Sequence, residues 1–135
     1  MRLIDVYEHA DCLDILYRLL AERELWQNIS HRAMPSWDEH TNFVASQPYK
    51  CWFIIESADE TPMGACYVSK QNEIGIHLFK AYQGKGTGPA AVLRLMAMYP
   101  SERLLANINP QNVRSIELFE RLGFRHCQNT YELLP

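Results

Sequence analysis

Glycine stands at every second position of Gly84-Lys85-Gly86-Thr87-Gly88, between a β-forming run, EIGIHLF, and an Ala- and Leu-rich stretch that opens at Pro89. No other feature narrows the fold as much. A strand that passes through a glycine loop directly into a helix brings unpaired backbone N–H groups and the positive end of the helix dipole to one point. That point suits a phosphate or pyrophosphate. Glycine serves it by tolerating positive φ and by letting a ligand approach the main chain, and Lys85 adds a point charge. Turn-making alone also accounts for such glycines, so the loop by itself leaves both readings open. Two other phosphate loops are excluded by spacing. GxxxxGK[ST] fails because Phe79 stands five residues before Gly84 and Gly86 follows Lys85, and GxGxxG fails because Gly84, Gly86 and Gly88 alternate and Ala91 is no substitute at the right step.

A chain of 135 residues without repeats or low-complexity tracts reads as one domain over 1–135. Its 47% apolar and 21% charged residues are those of a globular protein and exclude disorder as the main state. The net charge of −3 offers no positive field for nucleic acid. The longest apolar run, Cys51 to Ile55, is far short of the roughly twenty residues of a membrane span, and MRLIDVYEHA lacks an export signal's apolar stretch. A cytoplasmic protein with neither nucleic-acid nor membrane partners is therefore expected. Cys12, Cys51, Cys66 and Cys127 show no metal-ligand spacing, which points to free thiols and no metal.

Arg2 to Val6 reads as a short strand. Asp11 reads as the cap of a helix carried by Leu13, Leu16 and Leu20 and ending near Glu24. Ser36 and Glu39 form a capping box for a helix over Pro35 to Gln47, with Trp37, His40 and Val44 on one face. CWFIIES, MGACYVSK and EIGIHLF read as a three-stranded antiparallel meander. A helix from Gly88 or Pro89 to before Pro100 follows, then a strand in ERLLANI. A last helix over Asn112 to Leu122 is stopped by Gly123, and the tail from Phe124 to Leu134 has room for one or two strands.

Two separated motifs make the chain resemble the GCN5-related N-acetyltransferase (GNAT) superfamily. Gln83, Gly86 and Gly88 match its acyl-coenzyme A loop, and NPQNVRSIELFERLGF resembles its later Asn, Ser, aromatic and Leu-Gly-Phe segment. The resemblance implies an α/β fold with a mixed, mostly antiparallel sheet flanked by helices, and a cofactor cleft between splayed strands. It implies acetyl-CoA as co-substrate, with Gln83, Gly84, Lys85, Gly86, Thr87 and Gly88 on its pyrophosphate. The same resemblance puts Leu78 and Lys80 along the pantetheine arm and turns Asn112 and Ser115 toward the cofactor. Asn112 and Ser115 also suit plain helix-start chemistry.

Phe119 departs from the family pattern, which often has a tyrosine acid here. Placed three residues before the C-cap, it instead suits an apolar contact with Phe124 in a Schellman ending. Transfer to an amine needs a proton acceptor. Glu73 and His40 are the candidates by resemblance; a solvated strand-start carboxylate and a packed histidine are the competing readings. Strand alternation puts Glu73, Gly75, His77 and Phe79 on one face, opposite Ile74, Ile76 and Leu78. His31 and His77 are the weaker, acceptor-side candidates.

The expected reaction is direct acetyl transfer to a primary amine of a small molecule or amino sugar. A protein N-terminal acetyltransferase and a non-catalytic acyl-CoA-binding module are the alternatives. A nucleotide-phosphate binder is a third reading, and a homodimer is compatible with the sequence.

Overall fold

A computed structural model describes residues 1–23 and 33–135. Four strands, β1 (Arg2–Asp5), β2 (Tyr49–Glu56), β3 (Pro62–Ser69) and β4 (Ile74–Leu78), form a sheet in the order β1-β2-β3-β4 with every pairing antiparallel. The expected meander is β2 to β4. Helices α1 (Cys12–Ala21) and α2 (Trp37–Ala45) cover one face, and α3 (Thr87–Met98) and α4 (Val113–Arg121) the other. Among the described residues no helix is long and apolar enough to cross a membrane.

The two-residue strand period divides the core in two. Leu16, Leu19 and Val44 from the first helices meet Trp52, Ile54, Ala65 and Phe79. On the other face Ala91, Val92, Leu95 and Phe119 meet Ile55, Cys66, Val68 and Ile74. One irregularity moves a side chain across the sheet. Tyr49 pairs with Ser69 and Cys51 with Val68, so Lys50 is an extra residue on β2. That bulge turns Tyr49 to the Trp52 face, where it stacks on Tyr67 with ring centroids 3.8 Å apart.

Local chemistry sets the helix ends. The capping box of α2 is complete: the Glu39 N–H donates to Ser36 Oγ and the Ser36 N–H to Glu39 Oε1, each at 3.1 Å. Asp11 occupies the N-cap of α1 without a side-chain hydrogen bond, and the helix ends at Ala21, short of the expected Glu24. α4 ends in a Schellman motif. Gly123 has φ 95°, the Phe124 N–H donates to Phe119 O at 3.0 Å, and the Gly123 N–H donates to Glu120 O at 3.1 Å. The Phe119 and Phe124 rings meet edge to face at 5.1 Å.

Two strand expectations need correcting. The stretch ERLLANI touches β4 through a single parallel bridge, Glu73 with Leu105, so the parallel part of the sheet shrinks to one residue pair. Residues 125–135 form no strand, and Tyr131, Leu133 and Leu134 are exposed. The second follows from the first, because a chain that leaves the sheet after one bridge offers no ladder for a following strand.

Gly75 lies beneath the phenol of Tyr67: a Cβ there would stand 2.0 Å from Tyr67 Cζ. Gly75→Ala should therefore displace the ring and cost about 1–3 kcal/mol, the usual penalty of overpacking, read as a lower urea midpoint with unchanged m. An unaltered midpoint would show that Tyr67 leaves this position freely.

Candidate functional site

After its bridge to Glu73, the chain at 105–109 diverges from β4 and opens a cleft along the strand. The Ile74 N–H donates to Leu105 O at 2.7 Å on that side, while the Phe79 N–H donates to Met63 O at 2.9 Å on the other. Backbone groups of alternate residues point the same way in an antiparallel strand, so Ile76 and Leu78 turn theirs into the cleft. A cavity of about 1220 Å³ occupies it, running from the glycine loop past Ile76, Leu78 and Asn107 to an aromatic end at Phe43, Tyr49 and Trp52.

The three loop glycines are there for different reasons. Gly84 and Gly86 have φ of 73° and 86°, and no atom lies within 4 Å of a Cβ placed on Gly86. Gly88 is a packing glycine, since a Cβ would stand 2.9 Å from Leu118 Cδ1. Gly86 caps α3, and the Ala90 N–H donates to Gly86 O at 3.3 Å in its first turn. The N–H groups of Thr87 and Gly88 precede the helix's own ladder, and Pro89 has none to satisfy. This set of donors, with open space at Gly86, fits a diphosphate.

Gln83 links the loop to the strand. Its Nε2 donates to Leu78 O at 3.1 Å, and its Oε1 accepts from Arg114 Nη1 at 3.2 Å. Arg114, on α4 beside Gly84, is a cation at the loop that motif matching missed. Its signal was its place between Asn112 and Ser115 in the later motif. Asn112 is the N-cap of α4, its Oδ1 accepting the Ser115 N–H at 3.3 Å, so these two residues do make helix-start contacts. Both also line the cavity. Lys80, Lys85 and Thr87 are not among its lining residues, and the backbone of Lys80 is engaged by Glu22 Oε1 and the Gln83 N–H.

At the far end, His40 is buried and its Nε2–H donates to Leu13 O at 2.9 Å, with Tyr17 and Trp37 against the ring. One nitrogen is thus spent tying α2 to α1, which is the packing role. His77 shares its face with Gly75 and Phe79, as alternation requires. Burial, seconded by the charge of Arg23, pushes its imidazole down to about 4. Glu73 stands around a corner, in an adjoining cavity of about 270 Å³ that shares Tyr49, Tyr67, Ile74 and Asn107 with the larger one. Its carboxylate accepts from Asn107 Nδ2 and from Ser69 Oγ. Tyr49 and Tyr67 form the wall between the two, and burial raises the Tyr49 phenol above its ordinary range. Burial likewise lifts Cys12 to about 11 and Cys66 to about 12, so neither thiol ionises near neutrality. His31, with Trp26, Asn28 and Arg32, lies outside the described residues.

Residues 2–125 match the family model described as the acetyltransferase (GNAT) domain. A search of curated proteins finds no match. Among solved structures, a domain from Methanocaldococcus jannaschii is 26% identical, with TM-score 0.77 over 97% of this chain and 90% of that one. Spermidine N-acetyltransferase from Vibrio cholerae, solved with CoA and spermine, shares the fold at 17% identity and TM-score 0.77, covering 90% of this chain and 79% of its own. The yncA protein of Salmonella typhimurium, solved with acetyl-CoA, shares it at 22% identity and TM-score 0.64, covering 91% and 77%.

The depressed His77 makes stability depend on pH. The unfolded chain, with an ordinary histidine near 6.5, binds the proton that the folded state refuses down to about 4. Stability is therefore full above pH 6.5 and falls as pH drops toward 4. His77→Gln should flatten urea midpoints between pH 7 and 4.5 relative to the parent. An equally steep decline in the variant would assign the effect to other groups.

Proposed function

The chain belongs to the acetyltransferase (GNAT) domain family, and from that membership we propose that it is an N-acetyltransferase moving the acetyl group of acetyl-CoA directly onto a primary amine of a small molecule or amino sugar. One observation carries the reading. A single cavity joins the glycine loop, the open edge of β4 and a pocket large enough for an acceptor. A phosphate binder of another kind has no use for the second half of that path.

The N–H groups around Gly84 to Gly88 would hold the diphosphate, with Arg114 and Lys85 adding positive charge. Leu78 O, already bonded to Gln83, keeps a lone pair for a pantetheine amide. Backbone N–H groups at Ile76 and Leu78 face the side where negative charge develops on the thioester oxygen. Acetyl-CoA supplies the activated acyl group, and the chain's task is to align it with a neutral amine. Glu73, held by Ser69 and Asn107 beyond the Tyr49–Tyr67 wall, accepts the amine proton through water. His40 is the second candidate through its other ring nitrogen. The poorly ionised Cys12 and Cys66 support direct transfer over an acyl-cysteine. No acid stands at Phe119, which a thiolate leaving group tolerates.

A non-catalytic acyl-CoA-binding module is the reading that Phe119 favours, and release of free thiol separates the two. Acetyl-CoA with an amine panel should yield thiol only when an amine is present; binding without release would leave the module. Glu73→Gln should lower kcat by about 10²-fold with CoA affinity unchanged, and unaltered turnover across pH would remove Glu73 as base. Arg114→Ala should raise the CoA Kd by about tenfold in calorimetry, as for one charge-assisted contact. An unchanged Kd would take Arg114 out of the site.

A further inference from the structure

We propose that the acceptor is a primary amine carried on an aromatic or similarly flat apolar body, and not a polyamine. The inference rests on the transferase reading above and names its acceptor. It stands on what walls the far end of the cavity.

Phe43, Tyr49, Trp52 and Tyr67 line that end. Phe43 and Met34, at its mouth, are 41% and 46% exposed although apolar, a surface that a ligand of the same character would take out of water. An aromatic wall also attracts an alkylammonium ion wherever an open ring face lies within about 6 Å of it. Here some of those faces are taken. Tyr49 and Tyr67 lie parallel, 4° apart in tilt, and each covers one face of the other. Trp52 meets Tyr49 at 4.8 Å and Phe43 at 6.0 Å, both edge to face. The rings are thus packed on one another, and together they present an apolar slab for a ring to lie against.

Charge points the same way. The carboxylates lining the cavity, among the described residues, are Glu39 and Glu117. Glu39 is bonded to the Ser36 N–H in the capping box, and Glu117 shares α4 with Arg114 and Arg121. Arg23 lines the acceptor end and acts on both His77 and Tyr49. Glu22 opposes it there, but with its carboxylate bonded to the Lys80 N–H. Among the described residues, a long polycation would lie beside arginines with few carboxylates to meet it. For a monoamine the same field helps, because a neighbouring guanidinium disfavours the ammonium form and leaves the nucleophile neutral.

The test uses the whole chain with acetyl-CoA and follows thiol release with phenethylamine, spermidine and glucosamine. Phenethylamine should exceed the other two in kcat/KM by about tenfold or more, the factor expected for burying one aromatic ring. Phe43→Ala, at a partly exposed position whose loss the fold should tolerate, should raise KM for phenethylamine by about tenfold with CoA Kd unchanged. Spermidine or glucosamine used as well as phenethylamine overturns the inference and leaves the transferase standing. So does a Phe43→Ala enzyme with the parent's KM. A chain that binds no CoA in calorimetry fails at the earlier step, and the transferase reading falls with it.

Discussion

The structure turns on a hydrogen-bond ladder that stops after one rung. Ile74 bonds to Leu105, the two chains then part, and the edge of β4 loses its neighbour. Unpaired backbone groups away from water are costly, so such an edge must find other partners. Gln83 reaches back to one of them, the carbonyl of Leu78. The rest of the edge lines the cavity, and the chemistry proposed for this chain uses those groups. Had residues 105–109 continued beside β4, the sheet would have closed and the glycine loop would have opened onto packed side chains.

The aromatic end of the cavity depends on a second departure from regularity. Without the bulge at Lys50, Tyr49 would point toward α3 and α4 with Cys51 and Phe53. With it, Tyr49 crosses to the other face and stacks on Tyr67, whose ring has room only because residue 75 carries no side chain. One inserted residue and one missing methyl group thus build the wall that separates Glu73 from the main cavity. Such features are cheap locally, because each disturbs a single pair of the ladder.

Most of the fold was legible because it rests on periodicity and caps, which are local. The capping box at Ser36 and the Schellman ending at Gly123 appear as the residue types require. The alternation in EIGIHLF divides the two faces as read. What failed was non-local. ERLLANI has the composition of a strand, but whether it pairs depends on where the neighbouring chain runs, and the tail after Phe124 inherits that outcome. The candidate site's loop backbone was legible where geometry dictates residue type, at the positive φ of Gly84 and Gly86, and its side chains less so, because a partner decides each one's role. His40 lies on the expected helix face, yet its bond to Leu13, a residue of another helix, cannot be read from spacing. The hydrogen bonds of Arg114 to Gln83 and of Asn107 to Glu73 span 31 and 34 residues and have no short-range signature.

Phe119 shows how the fold divides labour between stability and chemistry. It is 4% exposed, sits in the core with Leu95 and Val92, and closes α4 against Phe124. A phenol at this position would need a hydrogen-bond partner, or its hydroxyl would be buried at a cost of about 1–3 kcal/mol. The position is committed to packing, and under the proposed transfer the step left without an acid is the one that needs it least, since a thiolate leaves more readily than an alkoxide. The remaining demands of that proposal fall on backbone groups of β4 and the loop. Those are set by chain path more than by side-chain identity, so they persist wherever the path does. Side chains are then free to shape the far end of the cavity, where Phe43, Trp52 and the Tyr49–Tyr67 pair present an apolar surface. Under the proposed transfer, the main chain would govern the chemistry and side chains of α2, β2 and β3 the choice of amine.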